Sequence, residues 1–210
     1  MNNFVVTFQD LSQKSYSSKS SFLDIISDKY KDISDVIAIK VNDSIKDLNS
    51  NIIEDAKIEL IRIQSHDSHE ILLHSTAHLM AQAVKFLFPE SKMTIGPPIE
   101  NGFFYDFDVE NPFTENDLEN IQKKMIELSN QNYPIKRNVI TRNDALKIFK
   151  NNNESYKIEI LNELPKDQEI TTYTQGDFVD LCRGPHLKST GMIKNFKLLS
   201  TSGAYWRGDE

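Results

Sequence analysis

Ile71-Leu72-Leu73-His74-Ser75-Thr76-Ala77-His78-Leu79-Met80 is the stretch from which the rest of the chain can be read. Its apolar residues recur at helical spacing and neither Gly nor Pro interrupts it, so it predicts a helix. Two histidines four apart on a helix project from the same face, one turn above each other. Far downstream, Asp180-Leu181-Cys182-Arg183-Gly184-Pro185-His186 carries the chain's single cysteine and another histidine, again four apart, across a Gly-Pro bend. Three of the five histidines and the only Cys thus form matched H-x-x-x-H and C-x-x-x-H pairs.

Working outward, the helix is expected from about Glu70 to Phe88, ended by Pro89. Before it, the polar run Gln64-Ser65-His66-Asp67-Ser68-His69 marks a domain boundary, with His66 and His69 as exposed linker residues. Residues 1–63 then form a small module. Phe4 to Phe8 and Ser15 to Ser18 are strand-like, Ser20 or Ser21 caps a helix over Phe22 to Tyr30, and Val36 to Val41 and Lys57 to Ile61 are further strands. A hairpin, a helix and further strands at this length predict a β-grasp, ubiquitin-like fold. In residues 64–210 the long helix is followed by aromatic and acidic alternation around Tyr105-Asp106-Phe107-Asp108, then helices near Glu115 to Ser129, Asn143 to Lys150 and Glu154 to Leu161. Strands are expected at Pro134 to Ile140, Ile170 to Thr174 and Phe178 to Leu181, with a closing hairpin formed by Phe196 to Thr201 and Ala204 to Trp206. The class is α+β: a small β-grasp domain, then a domain whose long first helix packs on a mainly antiparallel sheet.

The 210 residues suffice for one large or two small domains with real cores. No apolar run approaches the ~20 residues that span a bilayer, and Met1-Asn2-Asn3-Phe4 lacks the layout of a signal peptide. One cysteine excludes an internal disulfide framework and fits a reducing cytoplasm. A formal net charge of −7 argues against a chain that grips nucleic acid through bulk electrostatics, while leaving room for a nucleic-acid end held in one local pocket.

The two matched pairs admit four readings, one of them Cys182 as a nucleophile activated by His186, for which no third orienting group stands at a recognisable spacing. His74, His78, Cys182 and His186 offer three imidazoles and a thiolate, a set that suits Zn²⁺. Without metal, the same groups can line a polar cleft that positions and activates a water. Each can also be a satisfied, partly buried polar group with no chemistry. No Glu follows His74, so the zinc-protease signature is absent. Lys157 has the look of an exposed helix lysine, and the run ending at Tyr105 is explained equally by core packing. No Gly-rich segment has the spacing of a phosphate loop.

Beyond these local patterns, the chain resembles threonyl-tRNA synthetase, from 71 to 209 closely and from 1 to 63 loosely. The motifs that carry the resemblance run in order. They are His74-Ser75-x-Ala77-His78 with Met80-Ala81-Gln82-Ala83, then Ile95-Gly96-Pro97-Pro98-Ile99-Glu100-Asn101-Gly102-Phe103-Phe104-Tyr105-Asp106, then Asp180 to His186, then Gly203-Ala204-Tyr205-Trp206-Arg207-Gly208-Asp209. The family usually has Asp-Gly after the first strand and Val-Asn-Gly in a later turn; here stand Asp10-Leu11 and Val41-Asn42-Asp43. Phe104 replaces a common Tyr, while Tyr105 is kept.

The resemblance implies a TGS-type β-grasp domain over 1–63 and, over 64–210, an editing domain of the kind shared with alanyl enzymes. The family's synthetic domain would begin just after Glu210, and with it and the anticodon-binding domain absent no aminoacyl-adenylate is expected. The implied activity is post-transfer editing, the hydrolysis of seryl-tRNA(Thr) at the aminoacyl ester. The implied partners are the tRNA(Thr) acceptor end and the remaining synthetase domains, in the cytoplasm and with no membrane. His74, Lys157, Tyr105, Asp180 and Cys182 match positions that line the editing site, with His78 and His186 completing it. In that assignment His74 and Lys157 hold or activate water and stabilise charge, Asp180 and Tyr105 anchor the seryl amine and hydroxyl, and Cys182 and His186 shape the pocket. No cofactor is expected, with Zn²⁺ at His74, His78, Cys182 and His186 as the less favoured reading. The alternative function is a catalytically silent RNA- or protein-binding module.

Overall fold

The computed structural model describes residues 2–203. They form two compact units, one up to Ile71 with Gly184–Leu187, the other Leu72–Arg183 with the chain from Lys188 onward.

In the first unit the strands β1 (Asn3–Thr7), β2 (Gln13–Ser17), β3 (Val36–Val41), β4 (Ser44–Lys46) and β5 (Ala56–Arg62) form one sheet in the order β2-β1-β5-β3-β4, with helix α1 (Phe22–Lys29) between β2 and β3 in sequence. The central pair, β1 and β5, is parallel; the other pairs are antiparallel. Helix α1 starts at Ser21 because a capping box closes there: Ser21 Oγ accepts from the Asp24 amide and Asp24 accepts from the Ser21 amide. Phe22, Ile25 and Ile26 line one face of the helix and join Val6, Phe8, Val36, Ile39, Ile52 and Ile58 in a single core. Strand β4 is a short element that the sequence reading leaves out. It exists because Asn42 and Asp43 take positive φ, 46° and 70°, and so make the two-residue turn that a right-twisted hairpin needs. Asn42 also ties the turn to β5, its side-chain oxygen accepting from the Lys57 amide at 2.9 Å.

Helix α2 (Ser68–Leu87) matches its expected span closely. The second unit continues with two-residue strands β6 (Lys92–Met93), β7 (Pro98–Ile99), β8 (Gly102–Phe103) and β9 (Phe107–Asp108), in which β7 pairs with β8 and β6 with β9. Tyr105 therefore lies between strands and not in a continuous strand. Helix α3 (Glu115–Gln131) begins with a Thr114–Asp117 capping box and ends at Asn132, which takes the left-handed conformation. Strand β10 (Ile135–Ile140), helices α4 (Arg142–Asn151, capped by Thr141) and α5 (Ser155–Glu163), and strands β11 (Ile170–Gln175) and β12 (Phe178–Leu181) complete the unit. The sheet β10-β11-β12 is antiparallel throughout, and Gln82 Nε2 of α2 bonds the Gln175 carbonyl at the end of β11. Mixed helix and sheet in this arrangement is the expected α+β class. Phe196 to Thr201 carries no strand, which corrects one half of the expected closing hairpin; Ala204 to Trp206 lies outside the described residues. Phe196 and Leu198 are only partly buried there and Leu199 is 82% exposed, so the stretch has no buried face to hold a ladder.

Asp43→Gly should stabilise the first unit by about 0.5–1 kcal/mol, and Asp43→Val should cost about 1–2 kcal/mol, because a β-branched residue resists positive φ. Urea unfolding followed by circular dichroism reads both changes.

Candidate functional site

The helical spacing of His74 and His78 places their rings edge to face, 5.1 Å apart at 88°. The antiparallel pairing of β11 with β12 positions Asp180 and Cys182, Asp180 standing opposite Tyr173 and Cys182 donating its amide to the Thr171 carbonyl. Cys182 Sγ stands 3.2 Å from His74 Nε2, a thiol–imidazole hydrogen bond whose direction depends on the ring tautomer. Within the second unit the ligand atoms of His74, His78 and Cys182 lie within 4.8 Å of one another, so the helical pair meets the cysteine of the downstream pair. His78 and His186 are buried, while His74 and Cys182 are half-exposed. The accessible edge of the cluster is therefore the thiol–imidazole pair.

Beside it lies a closed ring of three polar side chains. The Tyr105 hydroxyl donates to Asp180 Oδ2 at 2.6 Å, Lys157 Nζ donates to the Tyr105 hydroxyl at 2.9 Å, and Lys157 Nζ pairs with Asp180 Oδ1 at 2.7 Å. All three are buried, Lys157 to 3% exposure and Asp180 to 1%. Lys157 is thus no surface lysine, contrary to its appearance in sequence: it occupies the first turn of α5 and points inward. Asp180 Oδ1 also accepts the Leu181 amide at 2.7 Å, and His78 Nε2 stands 3.6 Å from Oδ2. Burial joins the ring to the histidines, because His78 packs edge-on against Tyr105 and Phe178.

The electrostatics follow from burial and neighbours. Desolvation, with the Asp180 charge and hydrogen bond added, holds the Tyr105 phenol well above its ordinary pKa, so it remains a proton donor at neutral pH. Desolvation, reinforced by His74 and Lys157, holds His78 well below the usual imidazole value, so it remains neutral.

Several positions that the sequence reading passes over support these groups. Gly96 allows Tyr105 its place: a β-carbon there would stand 2.2 Å from Tyr105 Cδ2. A buried amide pair underlies His78, with Gln175 Nε2 donating to Gln82 Oε1 at 2.9 Å. Glu154 is fully buried between β6 and Lys85 of α2. Gln82 stands inside a quoted motif and Gly96 inside a Gly-Pro-Pro turn, but nothing local marks either as a support.

The donor set fits zinc in kind. A tetrahedral Zn²⁺ with bond lengths of roughly 2.0 and 2.3 Å would need N and S about 3.5 Å apart. The 3.2 Å contact between Cys182 and His74 is that of a direct hydrogen bond and would open by a few tenths of an ångström to take the ion, while any pair near the 4.8 Å upper spacing would close by about 1 Å.

Residues 170–210 match the family model for the threonyl and alanyl tRNA synthetase second additional domain. That class is consistent with an editing module. Over the whole chain, the threonine–tRNA ligase of Citrifermentans bemidjiense is 48% identical, with 33% of its own length covered. The enzyme of Alkalilimnicola ehrlichii is 50% identical over 82% of this chain and 27% of its own, and that of Ehrlichia canis 47% over 89% and 30%. The chain spans about a third of the length of the curated relatives it matches. It is a homologue, end to end, of that part of threonine–tRNA ligase.

The neutral, buried His78 makes a pH prediction. Its folded pKa lies below the ordinary value near 6.5, so between the two the unfolded chain binds the extra proton. Stability contributed by His78 is full above about pH 6.5 and is lost as pH falls, by at most about 1.4 kcal/mol per pH unit. Urea unfolding at pH 7.5, 6.5 and 5.5 should show a decline that flattens in His78→Gln.

Proposed function

We propose that the chain is a post-transfer editing module that hydrolyses the aminoacyl ester of mischarged seryl-tRNA(Thr). The observation that carries this reading is the joining of a half-exposed His74–Cys182 pair to the buried Lys157–Tyr105–Asp180 ring. Ester hydrolysis needs a positioned water, a proton acceptor, and donors for the negative charge that grows on the carbonyl oxygen. His74, at the accessible edge, takes a proton from water as its oxygen bonds to the carbonyl carbon. The Lys157 ammonium, and Tyr105 where its hydroxyl turns from Asp180, offer donors to the tetrahedral oxyanion. When the intermediate collapses, the bond to the ribose oxygen breaks and that oxygen takes the proton from His74. Asp180 holds Lys157 and Tyr105 in register; with three donors on its two oxygens it has about one lone-pair site left, which suits the seryl ammonium. Cys182, His78 and His186 shape the walls.

The need for such a site has a plain energetic origin. Serine is threonine without one methyl, and a pocket built for the larger side chain rejects the smaller by only ~1–3 kcal/mol. A second site too tight for the methyl supplies the missing discrimination. The first unit is read as a TGS-type β-grasp module over 1–63, supported by its β2-β1-β5-β3-β4 order, and 64–210 as the editing domain. The partners are the tRNA(Thr) acceptor end and further synthetase domains, in the cytoplasm. Catalysis is proposed to run without metal; zinc, where bound by His74, His78, Cys182 and His186, would supply Lewis acidity and a more acidic water.

The test is loss of each ester from seryl- and threonyl-tRNA(Thr) mixed with the purified chain. Seryl-tRNA should decay well above the buffer rate and threonyl-tRNA should not. His74→Ala should lower the seryl rate by about 10²-fold, the scale of a lost general base. Seryl-tRNA that survives as long as in buffer leaves the silent binding module as the reading. Stoichiometric zinc by elemental analysis, with activity removed by a chelator and restored by zinc, would overturn the metal-free mechanism.

A further inference from the structure

Glu154 is a buried carboxylate that the proposed chemistry leaves unused, with 0% of its surface exposed. It sits at the N-cap of α5, yet its side chain makes no capping bond to its own helix. Ser, Thr, Asp or Asn would satisfy that position better if capping were the task. Instead Glu154 Oε2 accepts the Met93 amide of β6 at 2.8 Å, and Oε1 lies 2.8 Å from Lys85 Nζ of α2. The second contact is a close ion pair without an aligned hydrogen bond, and the same ammonium donates to the Pro89 and Ser91 carbonyls at 2.8 and 2.6 Å. The Glu154 backbone is fixed as well, its amide donating to the Phe149 carbonyl at 2.8 Å.

One side chain thus binds α5 and α2, which bear Lys157 and the two histidines, to β6. Helix α5 bears Lys157 three residues on, within its first turn. Strand β6 leads into Thr94 and Ile95, whose backbones pair with Asp106 beside Tyr105, and then into Gly96 under the Tyr105 ring. Helix α2 bears His74 and His78. A buried carboxylate is costly unless paired and hydrogen-bonded, so Glu154 accepts few other placements of these elements.

We infer that Glu154 is a positioning residue for the hydrolytic site: by locking the first turn of α5 to β6 and α2, it sets where the Lys157 ammonium meets Tyr105 and Asp180. This inference rests on the editing reading of the site. A misplacement of about 1 Å in a positioned catalytic group costs on the order of 10²-fold in rate.

The experiment compares the full chain with Glu154→Ala, Glu154→Gln and Lys85→Met by two independent readouts. The first is seryl-tRNA(Thr) deacylation, resolved into kcat and KM. The second is native-state acetylation of Lys157 by acetic anhydride, mapped by mass spectrometry against exposed Lys19 and requiring no activity. In Glu154→Ala, kcat should fall by roughly 10²-fold with KM nearly unchanged. Lys157 should label about tenfold faster relative to Lys19, as a locally loosened first turn exposes it. Glu154→Gln, whose amide oxygen still accepts from Met93, should restore most of the rate and of the protection. If Glu154→Ala does not fold, Lys85→Met should show the same pair of changes at smaller amplitude. Parental kcat with parental Lys157 protection in a folded variant overturns the inference, as does an equal rise in the labelling of the partly buried Lys29 and Lys124. If the parent chain leaves seryl-tRNA intact, the editing reading falls, and Lys157 labelling alone still decides the positioning role.

Discussion

The ring formed by Tyr105, Lys157 and Asp180 is the constraint on which the second unit turns. Each member satisfies the other two: the phenol donates to the carboxylate, the ammonium donates to the phenol, and the opposite charges touch. Buried charges are tolerated only when paired and hydrogen-bonded, and breaking such a pair costs about 3–5 kcal/mol. The ring is therefore poor material for stability alone, since apolar residues of similar volume would do as well or better. What it supplies is geometry. It requires the segment between β8 and β9, the first turn of α5 and the end of β12 to meet at one point. Gly96 under the ring of Tyr105 and Glu154 behind Lys157 extend the same demand outward.

This geometry also divides labour among the titratable groups. The phenol is held protonated and His78 is held neutral, each by burial first and by neighbouring charge second. A donor that cannot ionise and a histidine that resists protonation make a fixed wall. His74 and Cys182 stand at its accessible edge in contact with each other. A proton can move at that edge while the buried ring keeps its own protons.

Local signals carried the elements well. Ser21 followed three residues later by Asp24 marks the start of α1, Thr141 marks α4, and the uninterrupted apolar spacing around His74 defines α2. The β4 hairpin was less visible, because Asn42-Asp43 is a weaker turn signal than Asn-Gly and β4 has only three residues. The site was legible where spacing is local, as in His74 with His78. Lys157 was invisible as a buried group, since no periodicity distinguishes an inward from an outward lysine on a nine-residue helix; the family resemblance pointed to it. Glu154, after three asparagines, reads only as the first residue of a short helix, and its pairing in the interior comes from contacts distant in sequence, at Met93 and Lys85.

The most direct measurement is a crystal structure of the chain with adenosine carrying a non-hydrolysable seryl amide at its 3′ position. The seryl carbonyl should lie at the His74–Cys182 edge, its oxygen within hydrogen-bond reach of Lys157 or Tyr105 and its carbon open to a water held by His74. A seryl group bound away from both His74 and Lys157 would contradict the proposed site.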